Sequence, residues 1–168
     1  MRLAELNSLE EDEFVARLGA VFEHSPWVAE RAWQRRPFKS IEELHGAMMA
    51  EVHEAGFDDQ LALVRAHPEL AGREAGEGSL TEHSSGEQAR LGFTDLSKED
   101  FLKMKQLNGA YRERFSFPCI VALRLHASRE SVMQEMQARL ANDAPAELRR
   151  ALEQISHITR ARLEGIVS

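Results

Sequence analysis

The chain is predicted to be all-α, a single domain over residues 1–168 built as a bundle of about seven to nine helices. Three observations predict this. Apolar residues recur at three- and four-residue spacing through most of the chain, and no stretch alternates as a half-buried strand does. Serines with a glutamate three positions on precede several of these runs, the pattern of a helix start. Pro26, Pro37 and Pro145 mark the starts or ends of the runs rather than their interiors, with no internal repeat and no linker-like tract.

Taken in order, Ser8 and Glu11 predict a capping box opening a helix from about Leu9 to Glu23, with Phe14, Leu18, Val21 and Phe22 on one face. A second helix is predicted over 26–34, ending where Arg36 precedes Pro37, because a residue before proline avoids helical backbone. Ser40 and Glu43 open a third, to about Glu54, with Ile41, Leu44, Met48 and Val52 inward. Asp58 caps a short helix carrying Leu61, Leu63 and Val64. The Gly- and Glu-rich stretch 71–78 reads as a loop. Ser84 and Glu87 then predict a helix start running toward Leu96, and Ser97 caps a long helix with Phe101, Met104, Leu107, Tyr111 and Phe115 on one face. Residues 117–125 are apolar and contain Pro118, which leaves an extended or an irregular path open. Two last helices are predicted, over about 128–140 and 144–166, the second with Pro145 at its start.

Composition narrows the function classes. With 21 basic and 28 acidic residues the net charge is −7, and no basic stripe offers itself to nucleic acid or an anionic membrane. No apolar run approaches the ~20 residues a membrane helix needs. The first residues lack the apolar core of a signal peptide, and the C-terminus is not a Ser-Lys-Leu address. One cysteine, Cys119, excludes an intrachain disulfide and fits a reducing compartment, so a cytoplasmic location is expected.

Chemistry-bearing residues gather between His67 and Arg124, beside glycines and prolines rather than on an amphipathic stripe. His67-x-Glu69 with Pro118-Cys119 has part of a zinc deaminase signature, but a single cysteine leaves too few ligands. Glu42-x-x-His45 has di-iron spacing without the second copy such sites need. No metal site is expected. His67, before a proline at a helix end, suits a general acid or base titrating near neutrality; the plainer reading is a helix-end histidine bonding a carbonyl. Glu87 reads equally as a capping-box glutamate bonding the Ser84 amide, with the amides of residues 84–88 able to hold a ligand oxygen. Arg160 and Arg162 could fork onto a carboxylate or merely complement a helix dipole.

Six blocks carry a resemblance. His-Pro-Glu-Leu-Ala-Gly at 67–72, Ser84-x-x-Glu87-Gln88, Leu107-Asn108-x-x-Tyr111-x-x-Arg114-Phe115, Phe117-Pro118, and the flanking Arg36-Pro37-Phe38 and Arg160-Ala161-Arg162-Leu163 together resemble the 2-oxo-4-hydroxy-4-carboxy-5-ureidoimidazoline (OHCU) decarboxylase family. The resemblance implies an all-helical homodimeric enzyme without cofactor, acting on a small molecule between urate and allantoin, with urate oxidase and hydroxyisourate hydrolase as pathway neighbours. It places catalysis on His67 and Glu87. Substrate contacts fall on Pro68, Ser84, Ser85, Gly86, Gln88, Phe117, Ile120 and Val121, and on Arg160 or Arg162. His83, Ser116 and Cys119 depart from the residues common in the family, without touching the two titrating positions. A non-catalytic ureide sensor or adaptor on the same fold is the rival reading.

Overall fold

The structure, a computed structural model, describes residues 1–168 and is helical throughout, without strands. It contains ten α-helices and one 3-10 turn, Leu123–Leu125. Contacts divide the chain into two compact units: residues 1–66 with 156–168, and residues 67–155.

The first unit holds α1 (Leu3–Asn7), α2 (Glu11–Leu18), α3 (Trp27–Trp33), α4 (Ile41–Glu54) and α5 (Phe57–Arg65). The predicted helix over 9–23 is shorter than expected and starts later. Ser8 closes α1, its hydroxyl donating to the Glu5 carbonyl at 2.7 Å, so it caps the end of one helix rather than the start of the next. Residues 19–24 are turns, yet Val21 and Phe22 are buried as the spacing predicts. α4 begins as expected, with the Ser40 hydroxyl accepting the Glu43 amide, and buries Leu44, Met48 and Val52. Full burial of an aliphatic side chain contributes about 1.5–3 kcal/mol, so this stripe alone anchors the helix. α5 is capped at Gly56 rather than Asp58. Residues at the chain termini pair here too, the Leu3 amide donating to the Ser168 carbonyl at 3.2 Å.

The second unit holds α6 (Arg73–Glu77), α7 (Glu82–Arg90), α8 (Lys98–Phe115), the 3-10 turn and α9 (Arg129–Arg139). A loop was expected over 71–78, but five of those residues, 73–77, close one helical turn between Gly72 and a left-handed Gly78. α8 buries Met104, Asn108, Tyr111 and Phe115, while Phe101, expected inward, is 48% exposed. Tyr111, Phe115 and Phe117 form an aromatic group with centroids 4.6 to 5.9 Å apart, the range in which ring pairs attract. α10 (Ala144–Glu164) begins in this unit and continues into the other.

Candidate active site

His67 stands just past the end of α5 and is 7% exposed. Pro68 stops the helix from continuing, and the next residues fold into a tight turn that α7 and α8 hold from outside. The Ala71 amide donates to Gln88 Oε1 at 2.9 Å, and Gln88 Nε2 donates to the Glu69 carbonyl at 3.4 Å. Asn108 Nδ2 donates to the Leu70 carbonyl at 2.8 Å, and Arg112 Nε to Glu69 Oε1 at 3.1 Å. Ala71 sits at φ 50°, a left-handed conformation that costs a non-glycine residue on the order of 1–3 kcal/mol. Each anchoring hydrogen bond contributes about 0.5–1.5 kcal/mol, so the set offsets that strain. Gly72 is required for close approach: a Cβ there would lie 2.6 Å from Glu69 Cβ.

α7 starts three residues earlier than Ser84-x-x-Glu87 predicts. Thr81 is the N-cap, its hydroxyl accepting the Ser84 amide at 3.3 Å, and the Ser85 amide donates to the Thr81 carbonyl at 2.8 Å. Two expectations are thereby corrected. Glu87 lies in the body of the helix and is no capping-box residue, and the helix ladder occupies the amides of residues 85–88 instead of leaving them to a ligand. The earlier start has a physical reason. It places Ser84 and Gln88, four residues apart, on one buried face, with Glu87 half-buried at its edge. Ser85 and Gly86 project from the exposed side of the same helix, so the structure does not bring them to this face. Gln88, expected to contact substrate, has its amide engaged by the His67 turn.

Residues 117–122 run without regular structure, and all but Pro118 are buried. Three side chains fix this segment. Arg139 Nη1 donates to the Ile120 carbonyl at 2.6 Å, Gln154 Oε1 accepts the Ala122 amide at 2.8 Å, and Arg90 Nη2 donates to the Leu123 carbonyl and, at 3.2 Å, to that of His126. None of these bonds uses the amides of Ile120 or Val121. α7 is thus tied to the His67 turn through Gln88 and to the 117–126 segment through Arg90. Two sequence blocks expected to form a site are joined to the helix that carries the third.

Behind the segment lies a buried polar group. Glu147, fully buried, accepts from Arg139 Nε at 3.0 Å, from Asn142 Nδ2 at 2.8 Å and from the Tyr111 hydroxyl. Burial pushes the Tyr111 phenol above its ordinary range and the Cys119 thiol up to about 12, so neither ionises near neutrality. Cys119 is therefore a small buried residue and not a nucleophile. Sequence reasoning missed Arg139, Glu147, Arg90 and Gln154. Asn108 and Tyr111 did carry a signal, as polar residues on the apolar stripe of α8.

The two arginines near the C-terminus belong to the other unit. Arg160 pairs with Glu164 at 2.7 Å and with Glu42, at 25% side-chain exposure. Arg162 is buried; its Nη1 donates to Glu23 Oε2 at 2.9 Å and to the Val21 carbonyl at 3.1 Å. Ser116 ends α8 at φ 62°, the left-handed position that glycine fills without strain.

A helical protein whose histidine–proline turn is bolted to a glutamate-bearing helix is the class that fold and site define. Within that class the chain belongs to the OHCU decarboxylase family, whose profile matches residues 7–164. It is 38% identical to the 2-oxo-4-hydroxy-4-carboxy-5-ureidoimidazoline decarboxylase of Haloferax volcanii, over 97% of this chain and 94% of that one. It is 37% identical to the mouse protein of the same name, over 99% and 93%. A "uric acid degradation bifunctional protein" of Bacillus sp. TB-90 contains a 36% identical segment that covers 99% of this chain and 32% of that protein. Among solved structures, an (S)-allantoin synthase matches with a TM-score of 0.79 and 28% identity, over 99% of this chain and 54% of that one.

Proposed function

We propose that this chain decarboxylates OHCU to (S)-allantoin and CO₂ in urate degradation, without a cofactor, with His67 and Glu87 as its catalytic groups. The observation that carries the assignment of residues is the Gln88 clamp. It ties the turn holding His67 to the helix holding Glu87 through the Ala71 amide and the Glu69 carbonyl. Full-length similarity to named decarboxylases carries the reaction.

The substrate's chemistry suits such a site. Its carboxylate is on a ring carbon next to a carbon–nitrogen double bond. As that carboxylate leaves as CO₂, the electron pair of the broken bond forms a double bond to the neighbouring ring carbon and the carbon–nitrogen π pair moves onto the nitrogen, which takes a proton, so the substrate supplies its own electron sink. The neighbouring ring carbon then takes a proton, and the hydroxyl carbon becomes allantoin's carbonyl as its proton departs. Two protons are taken up and one is released, a net uptake of one, and the face on which the ring carbon takes its proton sets the product's handedness. His67 delivers that proton. Glu87 orients His67 or the substrate hydroxyl. Ser84, Pro68 and Phe117 shape the pocket, and the amides of Ile120 and Val121 hold substrate oxygens.

The chain, a single domain over residues 1–168, acts as a cytoplasmic homodimer beside urate oxidase and hydroxyisourate hydrolase; no helix is long and apolar enough to cross a membrane. The occurrence of a similar segment in a bifunctional urate-degrading protein supports the pathway setting. The test is to generate substrate from urate with those two enzymes and follow circular dichroism as this protein is added. Rapid appearance of one allantoin enantiomer is expected. Decay at the uncatalysed rate to a racemate would reject the activity.

A further inference from the structure

Arg139 and Glu147 are remote from His67 in the sequence, and nothing in the mechanism above uses them. Arg139 is 4% exposed and Glu147 is fully buried, and such a pair is a weak source of stability because desolvation offsets much of its attraction. Its geometry suggests a different use. The guanidinium donates through Nε to Glu147 and through Nη1 to the Ile120 carbonyl at 2.6 Å. A trans peptide is planar, with its C=O and N–H on opposite sides. Holding the Ile120 oxygen therefore turns the Val121 N–H away from Arg139. The next peptide is fixed as well, because the Ala122 amide donates to Gln154 Oε1 at 2.8 Å. Val121 is thus set between two peptide planes, each pinned by a buried side chain. A cation on the carbonyl also polarises the peptide and strengthens its N–H as a donor. Tyr111 and Asn142, both donating to Glu147, fix the carboxylate that fixes the arginine.

We infer that Arg139, held by Glu147, is a positioning residue for the decarboxylation: through the Ile120–Val121 peptide it aims and strengthens the Val121 amide toward a substrate oxygen. This rests on the reading that the 120–121 amides contact substrate. It adds the device that orients them.

The experiment uses the full chain in two variants. Arg139→Met with Glu147→Gln removes both charges together, so no lone buried charge remains. Arg139→Lys keeps the charge with fewer donors and serves as the second variant if the first does not fold. On folded protein, kcat/KM should drop on the order of 10- to 100-fold in the double variant, the scale of a misplaced contact. Arg139→Lys should recover part of that loss. (S)-allantoin affinity by calorimetry should weaken in parallel, and the pH profile of kcat should keep its shape, since Arg139 handles no proton. A purely structural pair would leave kcat/KM and allantoin affinity per folded molecule unchanged, as in a Val132→Ala variant destabilised on the same helix. Double-variant values within about twofold of the parent, or an unchanged Arg139→Lys if only that folds, would overturn the inference. Calorimetry needs no turnover, so failure of the decarboxylase reading shows separately, as a parent protein that binds allantoin without making it.

Discussion

Arg162, in the unit of residues 1–66 and 156–168, and Arg139, in the unit of residues 67–155, are built alike. Each is a buried arginine that bridges a buried glutamate and a backbone carbonyl: Glu23 and Val21 in one case, Glu147 and Ile120 in the other. They differ in what the carbonyl belongs to. Val21 lies in a turn after α2, so Arg162 closes a corner of the fold. Ile120 lies in a segment without helix or strand, where no backbone ladder determines peptide orientation and side chains must do it. The comparison teaches that the same ion pair can hold a corner or aim an amide, and that the surrounding backbone decides which.

Removing one partner from either pair should have the largest effect on stability. Arg139→Ala leaves Glu147 buried without its cation and should destabilise the protein by about 3–5 kcal/mol, and Arg162→Ala should do the same to Glu23. Urea melts check this; a loss under 1 kcal/mol at either site would break the parallel. Arg160, whose partners are 44% and 72% exposed, is the contrasting case, and Arg160→Ala should shift stability by less than about 1 kcal/mol.

The His67 turn should be next in sensitivity. Gly72→Ala drives a methyl onto Glu69 Cβ, and overpacking of this kind costs about 1–3 kcal/mol. Because the turn also sets His67, turnover should fall along with the melting temperature; normal turnover would show that His67 is placed independently of the turn.

A smaller, pH-dependent effect belongs to the first unit. His45 is buried with its Nε2 2.9 Å from Thr159 Oγ1, and burial, then the charge of Arg160, holds its pKa below 6.5. The unfolded chain therefore takes up this proton first. Stability attributable to His45 is complete above about pH 6.5 and declines as pH falls from there toward the lowered folded value. Melts of parent and His45→Gln between pH 5 and 8 should diverge in slope only in the acidic range; parallel curves would remove His45 from the account.

Much of the helical architecture was legible in the sequence because its signals are local. Ser40 and Ser97 cap the helices they were expected to cap, and the apolar spacing marked Phe14, Met48 and Met104 as buried. Where two residues could cap, the local signal misled. Ser8 and Ser84 each have a glutamate three positions on, yet one ends a helix and the other lies inside one, because burial of Ser84 and Gln88 outweighs one capping bond of about 1 kcal/mol. The His67, Ser84–Gln88 and Phe117–Val121 blocks could be picked out by type and family pattern. The residues that join them could not. Gln88 to Ala71 spans 17 positions, Arg90 to Leu123 spans 33, and Gln154 to Ala122 spans 32. Such pairings leave no periodicity to read.

The central claim, a proton delivered to one face of the substrate by His67 with Glu87 orienting it, is tested most directly by the rate and handedness of allantoin formed by His67→Asn and Glu87→Gln. With folding intact, each should lose roughly 100- to 10,000-fold in kcat, and whatever allantoin still forms should approach a racemate. A folded His67→Asn protein that makes (S)-allantoin at near-parent rate would contradict the account.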